Sequence, residues 1–350
     1  MKIVVLGGGI STERNVSLVT ATSVCKALRT AGHQAVFVDS FLGLEDYNKD
    51  LSDIFEEPDG MCTDVKIDRE EPDLSKVWAM RKNKSASRIG DKVLDACALA
   101  DCVFIGLHGL DGEDGKIQAL LDLYGIPYTG SDSISSANAM DKSMTKKIMD
   151  YAGIPNAPWK EYFLDEASIF DIVNETSLPC VVKVVNGGSS IGVFICDTNK
   201  ELEEALSKAS ALNSHIIIEK KIVGREFAVA ILDNQVLTPI EIIPPDGGSF
   251  DYVSKYQSGS DAAREICPAD ITGEQKKILG DLALKLYNAL GLSVYSRADI
   301  ILDENNNGWC LEMNTLPGMT GASLLPKAAN DCGYDYPALC DTIVKLSMKK

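Results

Sequence analysis

Histidine is scarce in this chain, three in 350 residues, and its ten cysteines include no CxxC pair, so a zinc site of the usual Cys/His kind lacks ligands. Basic charge is also short: 34 Lys and Arg stand against 51 Asp and Glu, a net charge of −17. An acidic surface gains no counterion release from nucleic acid and no attraction to an anionic membrane, so neither is an expected partner. No apolar run reaches membrane-spanning length, and Ile3-Val4-Val5-Leu6, broken at once by glycine, is too short for a signal peptide. No GxxxxGK[ST] P-loop occurs, and a dinucleotide-binding GxGxxG starting at Gly7 would need glycine where Thr12 stands. The cysteines, several inside apolar runs such as Val193–Cys196, read as reduced, buried thiols of a cytoplasmic protein.

What is present is a soluble globular chain of two or three domains, 45% hydrophobic and 24% charged. Ile3–Leu6 reads as a buried strand, Gly7-Gly8-Gly9 as a sharp turn, and a helix follows from about Val16 before a second strand at Ala35–Val38. Residues 43–92 lose periodicity and gain charge, which marks part of them as a surface insertion. Order returns with a strand at Cys102–Leu107, and Gly125–Gly130 closes a first α/β unit, with a boundary near 131. Further on, Cys180–Val185 and Val193–Cys196 are strands joined by the glycine-serine loop Asn186–Gly192.

The chemistry concentrates in Ser296–Thr320. Two apolar runs, Ala298–Leu302 and Gly308–Met313, flank a turn-like Asp303–Asn307, the pattern of a β-hairpin. If Leu302 pairs with Trp309, Asp299 falls opposite Glu312 and Arg297 opposite Asn314, and all four polar groups share one face. Two carboxylates and an amide carbonyl suit a hard cation such as magnesium, and an adjacent arginine suits a phosphate. A solvated face of cross-strand ion pairs is the alternative. Past the hairpin, Pro317 and Gly318 break the strand ahead of a helix expected around Ser323, and a helix N-terminus collects anions.

Other candidates are weaker singly. The glycine-serine loop is able to lie over a triphosphate, with Lys183 and Lys142 supplying positive charge, or it is an ordinary hairpin turn. Glu219 and Glu226 offer acceptors to a ribose or an adenine amino group, or they are ion-paired surface residues. In Phe250–Tyr256, aromatics interleave with Lys255, as a lid bringing Lys255 to a phosphate and Tyr256 to the substrate would require, or as a strand with one packed face. Glu13 and His108 stand at strand ends of the first unit, where open α/β sheets bind ligands; a single histidine there also suits a structural role.

Taken in order, these motifs resemble the D-alanine–D-alanine ligases of the ATP-grasp superfamily. The likeness rests on Gly8–Ser17, His108-Gly109 with Gly112–Gly115, Pro127–Ser131, Met140-Asp141-Lys142, Gly188–Val193, Asp251-Tyr252 with Lys255-Tyr256, Arg297-Ala298-Asp299 and Glu312–Thr320, and it spans nearly the whole chain outside 43–92. It implies a mixed α/β, ATP-grasp fold of three domains: an N-terminal parallel-sheet domain over 1–130, a central subdomain over 131–219 and a C-terminal one over 220–350. Lys142, Lys183 and Lys255 then match phosphate-binding lysines and Glu226 the ribose-binding acid, with Ser190, Glu219 and Lys221 completing the nucleotide set. Asp299, Glu312 and Asn314 match ligands of Mg2+ or Mn2+. Glu13 matches the residue receiving the ammonium of the first D-alanine, linked to Ser189 and Tyr256, with His108 nearby. Arg297 and the backbone near Gly318 match the groups that stabilise a tetrahedral intermediate, and Ser323 and Leu324 those that receive the second D-alanine. The resemblance also implies a bacterial, cytoplasmic homodimer making D-alanyl-D-alanine for peptidoglycan. Val184, Phe250 and Ala322 depart from the residues usual there. Ligation to D-serine or D-lactate, and a nucleotide-binding regulator without chemistry, are the competing readings.

Overall fold

The structure, a computed structural model, describes residues 1–57, 59–62, 72–188, 191–244 and 263–349. The first sheet holds β1 (Lys2–Gly7), β2 (Gln34–Asp39) and β3 (Cys102–Ile105), all parallel, in the order β2-β1-β3. Ile3 to Leu6 are each fully buried, which is why the strand is a continuous apolar run: a parallel sheet is covered on both faces. Within 43–92, Leu44, Ile54 and Phe55 are buried in this same core. Helix Arg14–Thr30 packs on β1 and β2, and the C-terminal helix Tyr336–Ser347 packs on it in turn.

The second sheet is antiparallel, four strands in the order β4-β7-β5-β6: β4 (Trp159–Phe163), β5 (Cys180–Val184), β6 (Val193–Cys196) and β7 (His215–Lys220). Helix Asn199–Leu212 covers it, started by a capping box in which Thr198 and Glu201 bond each other's backbone N–H. The third sheet contains β8 (Arg225–Leu232), β9 (Gln235–Val236), β10 (Ile240–Ile243), β11 (Arg264–Ile266), β12 (Tyr295–Leu302) and β13 (Gly308–Asn314), in the order β11-β10-β8-β12-β13 with β9 on β8. Alternation along β8 divides it cleanly. Phe227, Val229 and Ile231 enter the core under helix Gly273–Ala289, while Ala228, Ala230 and Leu232 join the core shared with the first sheet. Helices Ser133–Met140 and Lys142–Tyr151 bring Ala139 and Met149 into the former.

Helix Lys142–Tyr151 is also tied to the second sheet. On β4, Glu161 accepts from Ser143 Oγ at 2.5 Å, with His215 Nε2 at 2.6 Å and Lys147 Nζ at 2.8 Å. Burial pushes this carboxyl up, but hydrogen bonds from Lys147, Ser143 and His215 outweigh it and hold the group at about 2, against an ordinary 4.5. A carboxylate depressed in the folded state stabilises above its unfolded pKa, and that stabilisation is lost as pH falls from 4.5 toward 2. Glu161→Gln is therefore expected to lower the denaturant midpoint at neutral pH, with the gap from wild type closing below pH 4.5. An equal gap at acid and neutral pH would contradict this.

Among the described residues no helix is long and apolar enough to cross a membrane. All ten cysteines are free thiols.

Candidate active site

The floor of the site is the β12–β13 hairpin. Arg297 lies opposite Asn314 and Asp299 opposite Glu312, as the sequence predicts, but the anchor of that reading is wrong. Leu302 pairs with Gly308, not Trp309. An irregularity after Asp299 lets Leu311 stand as the extra residue on β13 and shifts the register by one. The opposite face is apolar: Ala298, Ile300, Leu302, Cys310 and Met313 are buried under helix Gly273–Ala289. On the polar face, Arg297 forks onto Asp299, Nε to Oδ1 at 2.8 Å and Nη2 to Oδ2 at 2.7 Å. Asn314 Nδ2 donates to Asp299 Oδ2 at 3.2 Å, which leaves its carbonyl as the acceptor.

The opposite wall comes from the second sheet and the helix leading to it. Lys142, the first residue of its helix, donates its backbone N–H to Val185 O at 3.1 Å and its Nζ to Gly187 O at 2.5 Å. The same Nζ lies 3.6 Å from Glu312 Oε2, so one ammonium spans the glycine-serine loop and the hairpin. Lys183 on β5 is paired with Oε1 of Glu219 on β7. Burial opposes both charges, yet their mutual attraction raises the Lys183 ammonium and lowers the Glu219 carboxyl.

The far end belongs to the first unit. Glu13 precedes helix Arg14–Thr30, with its carboxylate against two glycines. A Cβ at Gly109 would stand 2.7 Å from Glu13 Oε2, and one at Gly188 2.9 Å, so two loops close over this carboxylate only because neither carries a side chain there. Gly109 also has φ +73, a left-handed conformation. Arg14 does not face the cavity. It forms a buried pair with Asp39, whose Oδ1 also accepts from the backbone of Phe41 and Leu42 at 2.9 Å. His108 is buried, its Nε2 2.9 Å from Thr20 Oγ1 and its Nδ1 3.3 Å from Glu113 Oε1.

These walls enclose a cavity of about 840 Å³. It is lined by Glu13, His108, Lys142, Lys183, Glu219, Lys221, Glu226, Arg297, Asp299, Glu312, Asn314 and Gly318, so these sequence-predicted residues share one space. Ser323 and Leu324 are not among its lining. Ser323 Oγ accepts from Thr320 N at 3.1 Å at the start of helix Leu324–Asp331, and Leu324 is buried in the core. Ser189, Ser190, Phe250, Lys255 and Tyr256 lie outside the described residues. Sequence reasoning misses three participants. Glu113 holds His108, Arg225 forks onto Glu241 at the cavity wall (Nε–Oε1 2.7 Å), and Lys146 lies behind Glu219. Lys146 does carry a signal: four residues after Lys142, it shares a helix face with it. Among the described residues no three His, Cys, Asp or Glu are gathered for a metal; the oxygen set here is two carboxylates and an amide.

Comparison with known proteins identifies the family. The family model described as D-ala D-ala ligase N-terminus matches residues 2–131, and that described as D-ala D-ala ligase C-terminus matches 147–345. A D-alanine–D-alanine ligase of Pediococcus pentosaceus is 38% identical, covering 98% of this chain and 97% of that one. One from Lacticaseibacillus casei is 36% identical over 100% of this chain and 96% of its own. The crystal structure of the D-alanine–D-alanine ligase from Bacillus anthracis complexed with ATP matches with a TM-score of 0.74 at 30% identity, over 100% of this chain and 98% of that one. Glu13, Lys183 and Asp299 each fall within one of the two matched spans, and the chain belongs to the D-alanine–D-alanine ligase family.

Proposed function

We infer that this chain joins two D-alanines in an ATP-dependent reaction, giving D-alanyl-D-alanine for peptidoglycan precursors, ADP and phosphate. The observation that carries this is one shared cavity, which sets Arg297, Asp299, Glu312 and Asn314 against Lys142 and Lys183 with Glu13 at its far end. A carboxylate is a poor acylating agent. Its oxygen first attacks the γ-phosphorus of ATP, the bond to ADP breaks, and an acyl phosphate results. The amine of the second D-alanine then attacks the carbonyl carbon, loses a proton and expels phosphate.

In this reading Glu13 receives the first ammonium, beside His108, and connects with Ser189 and Tyr256. Lys142, Lys183 and Lys255 meet the phosphates with Ser190, while Glu226 and Lys221 meet the rest of the nucleotide. Arg297 and the backbone near Gly318 face the oxygen on which charge develops, and Ser323 and Leu324 the second substrate. That is positioning and electrostatics more than covalent catalysis. Asp299, Glu312 and the Asn314 carbonyl fit Mg2+ or Mn2+, being oxygen donors on one strand face beside the phosphate lysines. Bound there, the ion would draw charge from the phosphoryl oxygens. A cytoplasmic homodimer is proposed with this reading: the free cysteines suit a reducing compartment, and sedimentation equilibrium tests the dimer.

The test is phosphate release from ATP and magnesium with D-alanine alone, then with limiting D-alanine plus D-serine or D-lactate, with products identified by mass. D-alanyl-D-alanine is expected as the main product in each case. A dominant mixed product would move the second-substrate assignment, and no turnover with any D-substrate would sink the reading.

A further inference from the structure

Behind the cavity wall lies a charge that the proposed chemistry does not use. Lys146, in helix Lys142–Tyr151, has a side chain only 1% exposed, and its Nζ stands 2.5 Å from Oε2 of Glu219. Oε1 of the same carboxylate holds Lys183. Lys183 and Glu219 line the cavity, whereas Lys146 does not. Two ammonium groups thus share one carboxylate that is itself 2% exposed, and the trio carries one positive charge in excess. Glu226 and Glu312 also act on Lys183 across the cavity, and Asp150 acts on Lys146 from its own helix.

Burying a lysine costs desolvation, and a packed apolar side chain would fill the same place more cheaply. Burial indeed pushes the Lys146 ammonium down from its ordinary value, with Glu219 opposing. A second cation on a carboxylate that already neutralises Lys183 needs another reason. With Lys183 alone, Glu219 would offer it both oxygens, cancel its charge and draw it into the wall. Shared with Lys146, Glu219 gives Lys183 one oxygen only, and the surplus charge acts on the cavity through a poorly screened interior.

We propose that Lys146 is a positioning residue for the phosphate side of the nucleotide site: it occupies one oxygen of Glu219, so that Lys183 stays directed at the cavity with its charge undiminished. The role assigned to Glu219 changes with it, from an acceptor for the nucleotide to the anchor of two lysines. The inference rests on the ligase reading above.

The experiment compares wild type, Lys146→Met and Lys146→Arg for binding of ATP, ADP and adenosine by calorimetry, and for kcat and KM in phosphate release. Lys146→Met is expected to weaken ATP and ADP about ten- to hundred-fold and to raise KM for ATP alike, with kcat within about threefold and adenosine within about twofold. Lys146→Arg, which keeps the charge, restores most of the ATP affinity. Lys146→Gln carries the same expectation as the methionine variant and replaces it if that variant does not fold. Unchanged ATP affinity in the neutral variants overturns the proposal, as does a loss that falls equally on adenosine and ATP, because a structural defect does not distinguish phosphates. Wild-type protein that makes no ADP with D-alanine overturns the ligase reading and this inference with it, whereas normal wild-type turnover with no effect at Lys146 overturns the inference alone.

Discussion

Arg297→Ala is expected to lower kcat by about 10²–10³-fold or more while ATP affinity changes little, since this is the magnitude lost when one donor to a developing oxyanion is removed. Arg297 projects from β12, a strand held between β8 and β13, so its Cα is fixed by two ladders of hydrogen bonds. Its guanidinium is oriented by the fork onto Asp299 and its side chain is only 12% exposed. Such a group is pre-organised for charge that appears during reaction rather than for the charge already on ATP. In the proposed reading Lys142 and Lys183 remain to hold the nucleotide in the variant. The check is kcat for phosphate release beside an ATP titration by calorimetry. Turnover equal to wild type would refute the role. A fall in ATP affinity matching the fall in kcat would reduce Arg297 to a binding residue.

The hairpin shows how far sequence reasoning reaches here. Side-chain period and donor chemistry put Arg297, Asp299, Glu312 and Asn314 on one face, and they are there. The turn escapes that reasoning, because Leu302 pairs with Gly308 and a single extra residue at Leu311 restores the register before Glu312. A bulge has no composition of its own, so alternation alone does not reveal it. Strands that are short, mostly apolar runs leading into glycine, such as β1 and β5, are legible to within a few residues. Charge pairing is not. Arg14, next to Glu13 in the sequence, is spent on Asp39, twenty-five positions on. Lys146 sits in the polar half of an amphipathic pattern, which ordinarily faces water. Glu219 on β7, from a distant part of the chain, meets it in the interior. Tertiary contact buries that lysine, and its spacing from Lys142 marks the shared helix face without recording the burial.

The glutamate across from Asp299 offers a sharper test of the oxygen set. Glu312→Gln keeps size and one oxygen but removes a charge from a face whose other carboxylate is already shared with Arg297 and Asn314. Loss of partners around a bound metal costs about 10–100-fold in affinity or activity, and loss of an anionic ligand is expected to cost at least the upper end of that range in kcat at low magnesium. The sign of the nucleotide effect then depends on the metal. Without a divalent cation, Glu312 repels the triphosphate, so the variant should bind ATP as tightly as wild type or more tightly. With magnesium present, the same substitution should weaken ATP binding and raise the magnesium concentration needed for half-maximal rate. Lys142, 3.6 Å from Glu312, sharpens the contrast, because losing its counterion leaves its charge to the phosphates. Affinities measured with and without magnesium that shift in the same direction would mean that Glu312 braces the hairpin and Lys142, and that the cation is held elsewhere. Affinities that cross would place the metal on β13, where a carboxylate harmful to bare nucleotide becomes necessary once the ion is between them.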